Sequence, residues 1–255
     1  MEQKIRVWDL PVRLFHWLLA GSFVVAYTIA ESDPLRKVHV ILGYTAVGLI
    51  LFRIIWGFVG SRYGRFASFA FAPGTAINYL RTLRNPHEHY VGHTPAGSYA
   101  IYAILIVGLL TGVTGYMTLS HQGGESLEEA HELFANVWLA LVIFHVAGVI
   151  IASYLHRENL VRSMITGYKR NVPGHSTDTS TESTPATMIG IALGGSVAAF
   201  WIWSLLTGSV PGAGEDSVGK RLGSREMTSE QVTAGQRPQP EGLASEKRTV
   251  DRETE

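Results

Sequence analysis

Five long apolar stretches alternate with polar segments along the chain: Leu14 to Ala30, His39 to Val59, Tyr99 to Leu119, His131 to Tyr154 and Met188 to Thr207. Each is near or above the roughly 20 residues that carry a helix across the hydrocarbon core of a bilayer, so each predicts a transmembrane helix. The first is the shortest. It could instead be the core of a secretory signal peptide cleaved near Ala30, but Asp9 and Pro11 before it, and His16 beside Trp17 within it, favour a retained anchor. The third carries Gly108 and Gly112, a spacing that lets helices approach closely. From about Gly208 the chain mixes Gly, Pro, Gln and charge without periodicity, which predicts a disordered tail.

The segments between the runs set the orientation. Lys4, Arg6 and Arg13 precede the first run. Arg62, Arg65, Arg81 and Arg84 lie between the second and third, and Arg157, Arg162, Lys169 and Arg170 follow the fourth. Basic residues in short loops mark the cytoplasmic side. The segment 120–130 has Glu125, Glu128 and Glu129 and no Lys or Arg, so it belongs outside. The N-terminus is then cytoplasmic and the tail, after a fifth span, periplasmic. The bacterial inner membrane is the expected location.

The fourth run is chemically unusual. It opens on His131 and carries His145 fourteen residues later. Fourteen helical residues rise about 21 Å and turn to within about 40° of the starting direction. One helix thus presents two imidazoles on one face, near opposite membrane surfaces, where ionisable groups are costly and usually serve a site. In the expected topology His16 begins the first run at the inner side, and His39 begins the second at the outer side. The depths match in pairs: His16 with His145, and His39 with His131. Two stacked bis-imidazole sites in a four-helix bundle are what two b-type haems require. The chain has no cysteine, which excludes disulfides, thiolate-bound iron–sulfur clusters and covalent haem attachment. Any haem is therefore held non-covalently.

Other residues join the picture with less force. Ala20, Gly43 and Ala135 stand four residues toward mid-membrane from His16, His39 and His131, leaving room beside each ring. Arg53 follows His39 by fourteen residues, so it lies on nearly the same face at the inner level. It either reaches a propionate of the inner haem or snorkels to the interface. His87, His89 and His93 lack the register of a metal motif and read as structural or solvated, while His121 and His156 read as interfacial. The cluster Glu125, Glu128, Glu129 and Glu132 is a solvated face that could also guide a basic partner. The 21 basic and 21 acidic residues balance, which gives no reason to expect nucleic acid.

Four stretches carry a resemblance: DLPVRLFHWLL, RKVHVILGYTAVGLILFRIIWGFVGS, GHTPAGSY at the start of the third span, and EEAHELFANVWLALVIFHVAG. Through them residues 7–170 resemble the bacterial cytochrome b561 family, which includes the b-type cytochrome subunits of nickel–iron hydrogenases. The resemblance implies that the four matching histidines are axial ligands of two b haems. It also implies electron transfer between the quinone pool and a redox partner on the outer face. The expected architecture is all-α: an integral membrane four-helix bundle holding two haems over residues 1–170, a polar linker over 171–186, a fifth transmembrane helix over 187–208, and a disordered polar tail over 209–255. The acidic outer segment favours a periplasmic c-type cytochrome as partner, which would make the chain a quinol:cytochrome oxidoreductase. Alternatives are the membrane anchor of a hydrogenase or similar complex, and, in another class, a non-redox membrane binding or assembly module. A second copy of the chain is a further candidate partner.

Overall fold

The computed structural model describes residues 4–82, 92–120, 124–170 and 184–210. The chain divides into two units, Met1–Ala213 and Gly214–Glu255, and the described residues all belong to the first. All but the first two residues of the expected tail, most of the polar linker, Arg84, His87, His89 and His121 lie outside them.

The described residues form strand β1 (Lys4–Arg6), α1 (Leu10–Thr28), α2 (Arg36–Val59), α3 (Pro73–Arg81), α4 (Pro95–Leu119), α5 (Gly124–Leu155), α6 (Leu160–Thr166), β2 (Tyr168–Arg170) and α7 (Thr184–Thr207). Short 3-10 turns at Asp33–Leu35 and Phe66–Ser68 precede α2 and α3. Helices α1, α2, α4, α5 and α7 are each long and apolar enough to cross a membrane. The longest, α5, has 32 residues and so extends about 48 Å, well beyond a hydrocarbon core of about 30 Å. Its first turns carry exposed Glu125, Glu128 and Glu129, which is why the helix begins before the apolar run that follows. Likewise α7 starts at Thr184, so Pro185 and Ala186 belong to the helix.

Local chemistry fixes where the helices start. Asp9 caps α1: its Oδ1 accepts the Val12 N–H at 2.9 Å, and Pro11 fits a first turn that needs no amide donor. The Thr94 hydroxyl accepts the Gly97 N–H at 3.2 Å ahead of α4, again with a proline, Pro95, just inside. Asn159 caps α6 by accepting the Arg162 N–H at 2.7 Å.

Consecutive spans pack side by side, α1 on α2, α2 on α4 and α4 on α5, while α7 lies against α1. The ring closes where α1 meets α5: Phe23 and Trp138 pack at 4.4 Å between centroids with their planes tilted by 55°, and the Tyr27 hydroxyl donates to Asn136 Oδ1 at 2.6 Å. The core is Phe15, Leu19, Phe23, Ala46, Leu49, Ile50, Leu105 and Trp138. Gly108 makes room for Trp138, because a β-carbon there would sit 2.6 Å from the indole. The fifth helix is tied in by the Trp201 indole N–H, which donates to Thr45 Oγ1 at 3.0 Å.

The segments read from sequence as a polar lead and a polar basic loop are instead folded against the end of the bundle. β1 and β2 pair antiparallel, with Ile5 opposite Lys169. The amides of Val7 and Trp8 both donate to Gly167 O, at 2.9 and 3.1 Å. Gly167 adopts φ +88°, a conformation that favours glycine. Ile5, Val7, Trp8, Val12, Trp56 and Ala186 form a second apolar cluster beneath this sheet. Asp9 joins cap to bundle, since its Oδ2 accepts the Trp56 indole N–H at 3.1 Å. D9A is therefore expected to cost about 2 kcal/mol, from a lost helix cap and an indole N–H left buried without a partner. D9N, which still caps, recovers part of the loss in denaturant unfolding of the detergent-solubilised protein.

Candidate functional site

At the end of the bundle opposite the sheet, His39 of α2 and His131 of α5 face one another. Their ring centroids are 6.2 Å apart and the rings are nearly perpendicular, at 84°. Each is fixed by a backbone carbonyl. His39 Nδ1 lies 2.9 Å from Ala26 O, and His131 Nδ1 lies 3.0 Å from Thr111 O. A carbonyl only accepts, so both Nδ1 atoms carry the hydrogen and both Nε2 lone pairs are left bare. This is the tautomer a metal-ligating histidine uses, with its other nitrogen donating to an oriented partner.

The separation fits one metal ion between the rings. An imidazole nitrogen stands about 1.1 Å from its ring centre, and a metal–nitrogen bond is about 2.0 Å, so two coaxial ligands put their centres about 6.2 Å apart. Two imidazoles do not complete a coordination sphere. Among the described residues no group of three or more His, Cys, Asp or Glu is placed to hold a metal. A haem iron, whose porphyrin carries four nitrogens of its own, would need only these two protein ligands. Room for one is compatible with Gly43, one turn along α2 from His39, where a β-carbon would meet nothing within 4 Å.

The second predicted pair lies toward the sheet end. His16 of α1 lies within electrostatic reach of His145 of α5. The His16 ring stands edge-on to Trp17 at 4.9 Å, and its Nδ1 is buried without a hydrogen-bond partner. The structure thus sets His39 face to face with His131, and places His16 within electrostatic reach of His145. Arg53 does not snorkel. It is 2 % exposed, its guanidinium lies over the Phe66 ring at 5.0 Å and 5.9 Å from that of Phe69, and its Nη1 has no partner.

Some contributors to this region were not singled out by the sequence reading. His93, taken there as structural or solvated, is wedged between Trp8 at 4.6 Å and Phe69 at 4.3 Å, within electrostatic reach of Arg53, Lys169 and His145. Burial, with help from those neighbours, pushes its pKa down to about 3, so the ring is neutral. Gly115 of α4 sits against the His131 ring. Trp138 lies seven residues from both His131 and His145, and is buried with its indole nitrogen unpartnered. His156 is half-buried, its Nε2 3.3 Å from the hydroxyl of the buried Tyr79.

Comparison with known families decides the class. The family described as Prokaryotic cytochrome b561 matches residues 7–167, a span that holds all four paired histidines, Gly43 and Arg53. The chain belongs to that family. A probable Ni/Fe-hydrogenase B-type cytochrome subunit of Rhizobium leguminosarum bv. viciae is 22% identical over 212 aligned positions, covering 65% of this chain and 89% of the relative. The probable Ni/Fe-hydrogenase 1 B-type cytochrome subunit of Escherichia coli K12 is 23% identical over 210 positions, covering 64% and 89%. The corresponding subunit of Bradyrhizobium diazoefficiens is 25% identical over 217, covering 65% and 86%. No solved structure matches. As a cytochrome b561 family member, the chain is a multi-pass membrane protein of the haem b class that transfers electrons across the membrane. Helix α7 lies beyond the matched segment.

Proposed function

We propose that this chain holds two b-type haems, one above the other, and passes electrons between the quinone pool and a periplasmic redox partner. His39 and His131 ligate the outer haem, with Gly43 leaving space for its edge. His16 and His145 ligate the inner haem, with Arg53 reaching toward a propionate. The observation that carries the reading is the facing pair His39 and His131, 6.2 Å apart and locked in the tautomer that frees Nε2.

Bound haem supplies a one-electron iron couple. The chain's own residues do the rest. With a histidine pair holding each haem, no position on the iron would be left for oxygen, which would favour electron transfer over oxygen binding. The Ala26 and Thr111 carbonyls polarise the outer ligands and thereby tune that couple. The apolar core around Phe23, Ile50 and Trp138 excludes water between the two levels. The sheet end, where Arg6, Arg13, Arg157 and Arg162 gather, is the cytoplasmic side, so the His39–His131 end with its exposed glutamates faces the periplasm, as does the last turn of α7. A basic c-type cytochrome suits that acidic end. The relatives' names favour a second reading, in which the chain anchors a hydrogenase or similar oxidoreductase and receives electrons from it. A second copy of the chain is a further partner within either reading.

Purified from haem-replete cells, the full chain is expected to give a reduced-minus-oxidised b-type spectrum with two haems per chain. A single haem per chain overturns the stacked arrangement, and haemless protein favours a non-redox assembly module. Which soluble protein reoxidises the dithionite-reduced cytochrome, a c-type cytochrome or an oxidoreductase subunit, separates the two redox readings.

A further inference from the structure

At the sheet end, three nitrogen-bearing side chains from three separate segments gather around two shared rings: Phe69 lies 5.9 Å from the Arg53 guanidinium and 4.3 Å from His93, and Trp8 lies 4.6 Å from His93 and 6.0 Å from Lys169 Nζ. Arg53 comes from α2, His93 from the turn before α4 and Lys169 from β2. His93 is within electrostatic reach of the other two and of His145. The Arg53 Nη1 and the His93 Nδ1 are both buried with no hydrogen-bond partner. A buried guanidinium with an unmet N–H is costly, and native structures rarely leave such a group without a purpose. Asp9 acts on Arg53 through its charge, but its two oxygens accept the Val12 amide and the Trp56 indole, and the Arg53 Nη1 has no hydrogen-bond partner. Lys169 is only loosely engaged, with its Nζ 3.4 Å from Gly92 O and 3.9 Å from Glu158.

We propose that Arg53, His93 and Lys169 form a carboxylate-binding site, and that its ligand is a propionate of the haem held by His16 and His145. The assignment rests on the di-haem reading and extends it to residues outside the ligand set. An acceptor-only carboxylate satisfies both orphaned donors at once, the Arg53 Nη1–H and a neutral His93 donating from Nδ1. Its proximity to His145 selects a group carried on the inner haem. Trp8 and Phe69 hold the His93 ring from two sides, so its orientation is set by packing. Strand β2 and the β1–α1 connection, which carry Lys169 and Trp8, thereby help to build a cofactor site.

Charge at this position acts on the iron couple. Cations and donors on a propionate favour the reduced, less positive haem, so their removal lowers the inner potential. His93 is a positioning residue here, and redox potentiometry of the full-length holoprotein reads its effect. In H93F and in R53Q, the inner haem's oxidised-to-reduced ratio at fixed potential is expected to rise about tenfold, a fall of about 59 mV for one electron, with the outer haem unmoved. H93Q retains an N–H donor and is expected to restore most of the shift. Loss of pigment from H93F leaves R53Q and K169Q to carry the test by the same measure. Unchanged potentials in H93F and R53Q, in a chain that binds two haems, overturn this site while leaving the di-haem reading intact. A wild-type chain without two haems overturns that reading itself. A shift seen only in vesicles containing phosphatidylglycerol, and absent in phosphatidylcholine alone, assigns the cluster to a lipid phosphate and also overturns the proposal.

Discussion

Replacing His145 with alanine is expected to halve the haem bound per chain, removing the inner centre and sparing the outer. The substitution deletes one of two axial ligands and leaves His16 as the sole imidazole at that level. Alanine is the best helix former, so α5 continues through the position without a backbone penalty. The outer pair lies about 21 Å away along the helix and keeps its own carbonyl anchors at Ala26 and Thr111. The fold should therefore persist, because Trp138, the fully packed residue of α5, is untouched. The haem-to-protein ratio from the pyridine haemochrome, with the difference spectrum, checks the outcome. Two absorbing centres in H145A would mean that the histidines do not grip haem in these pairs. The converse variant, H131A, should lose the other component of the same spectrum.

Much of this arrangement is legible in the sequence because membrane spans are written in a local code. A run of apolar residues long enough to cross the bilayer has almost no alternative to a helix, since lipid offers no partner for free backbone groups. The fourteen-residue interval from His131 to His145 is equally local: helix geometry alone turns it into one face and two depths. Matching those depths to His16 and His39 needs only the order of spans. What stays hidden is set by contacts between distant segments. Strands β1 and β2 are three residues each, too short for any alternation to show, and their pairing joins residues more than 160 positions apart. The role of Arg53 was undecided from sequence because snorkelling and burial demand the same residue. The decision comes from Phe66 and Phe69, which fold back from the following segment to cover it. In sequence His93 is one of three loop histidines, and its own place is set by the packing of Trp8 and Phe69, distant in sequence, on its ring.

The largest effect expected from a residue that is not itself a proposed ligand belongs to Gly115. A β-carbon at this position of α4 would lie 2.9 Å from His131 Cε1 and 3.1 Å from its Nδ1. One turn earlier on the same helix, Thr111 O holds that Nδ1 at 3.0 Å, and the Thr114 hydroxyl lies 3.4 Å from it. The ring therefore has a helix surface on one side and its ligand position on the other, and any side chain at 115 must push it off the carbonyl that fixes its tautomer. Judged by helix propensity alone, replacing a mid-helix glycine should stabilise the chain by up to about 1 kcal/mol. The steric argument predicts the opposite at the site: G115V loses the outer haem, or converts it to a form with one weakened axial bond, while the inner haem keeps its spectrum. Gly74 in α3, where a β-carbon meets nothing within 4 Å, supplies the control: G74V should leave both centres as they are. Low-temperature spectra and electron paramagnetic resonance of the oxidised protein separate the two haems for this purpose. An unaltered outer signal in G115V would show that His131 can be displaced from Thr111 without consequence. The carbonyl clamp would then have no part in holding the cofactor.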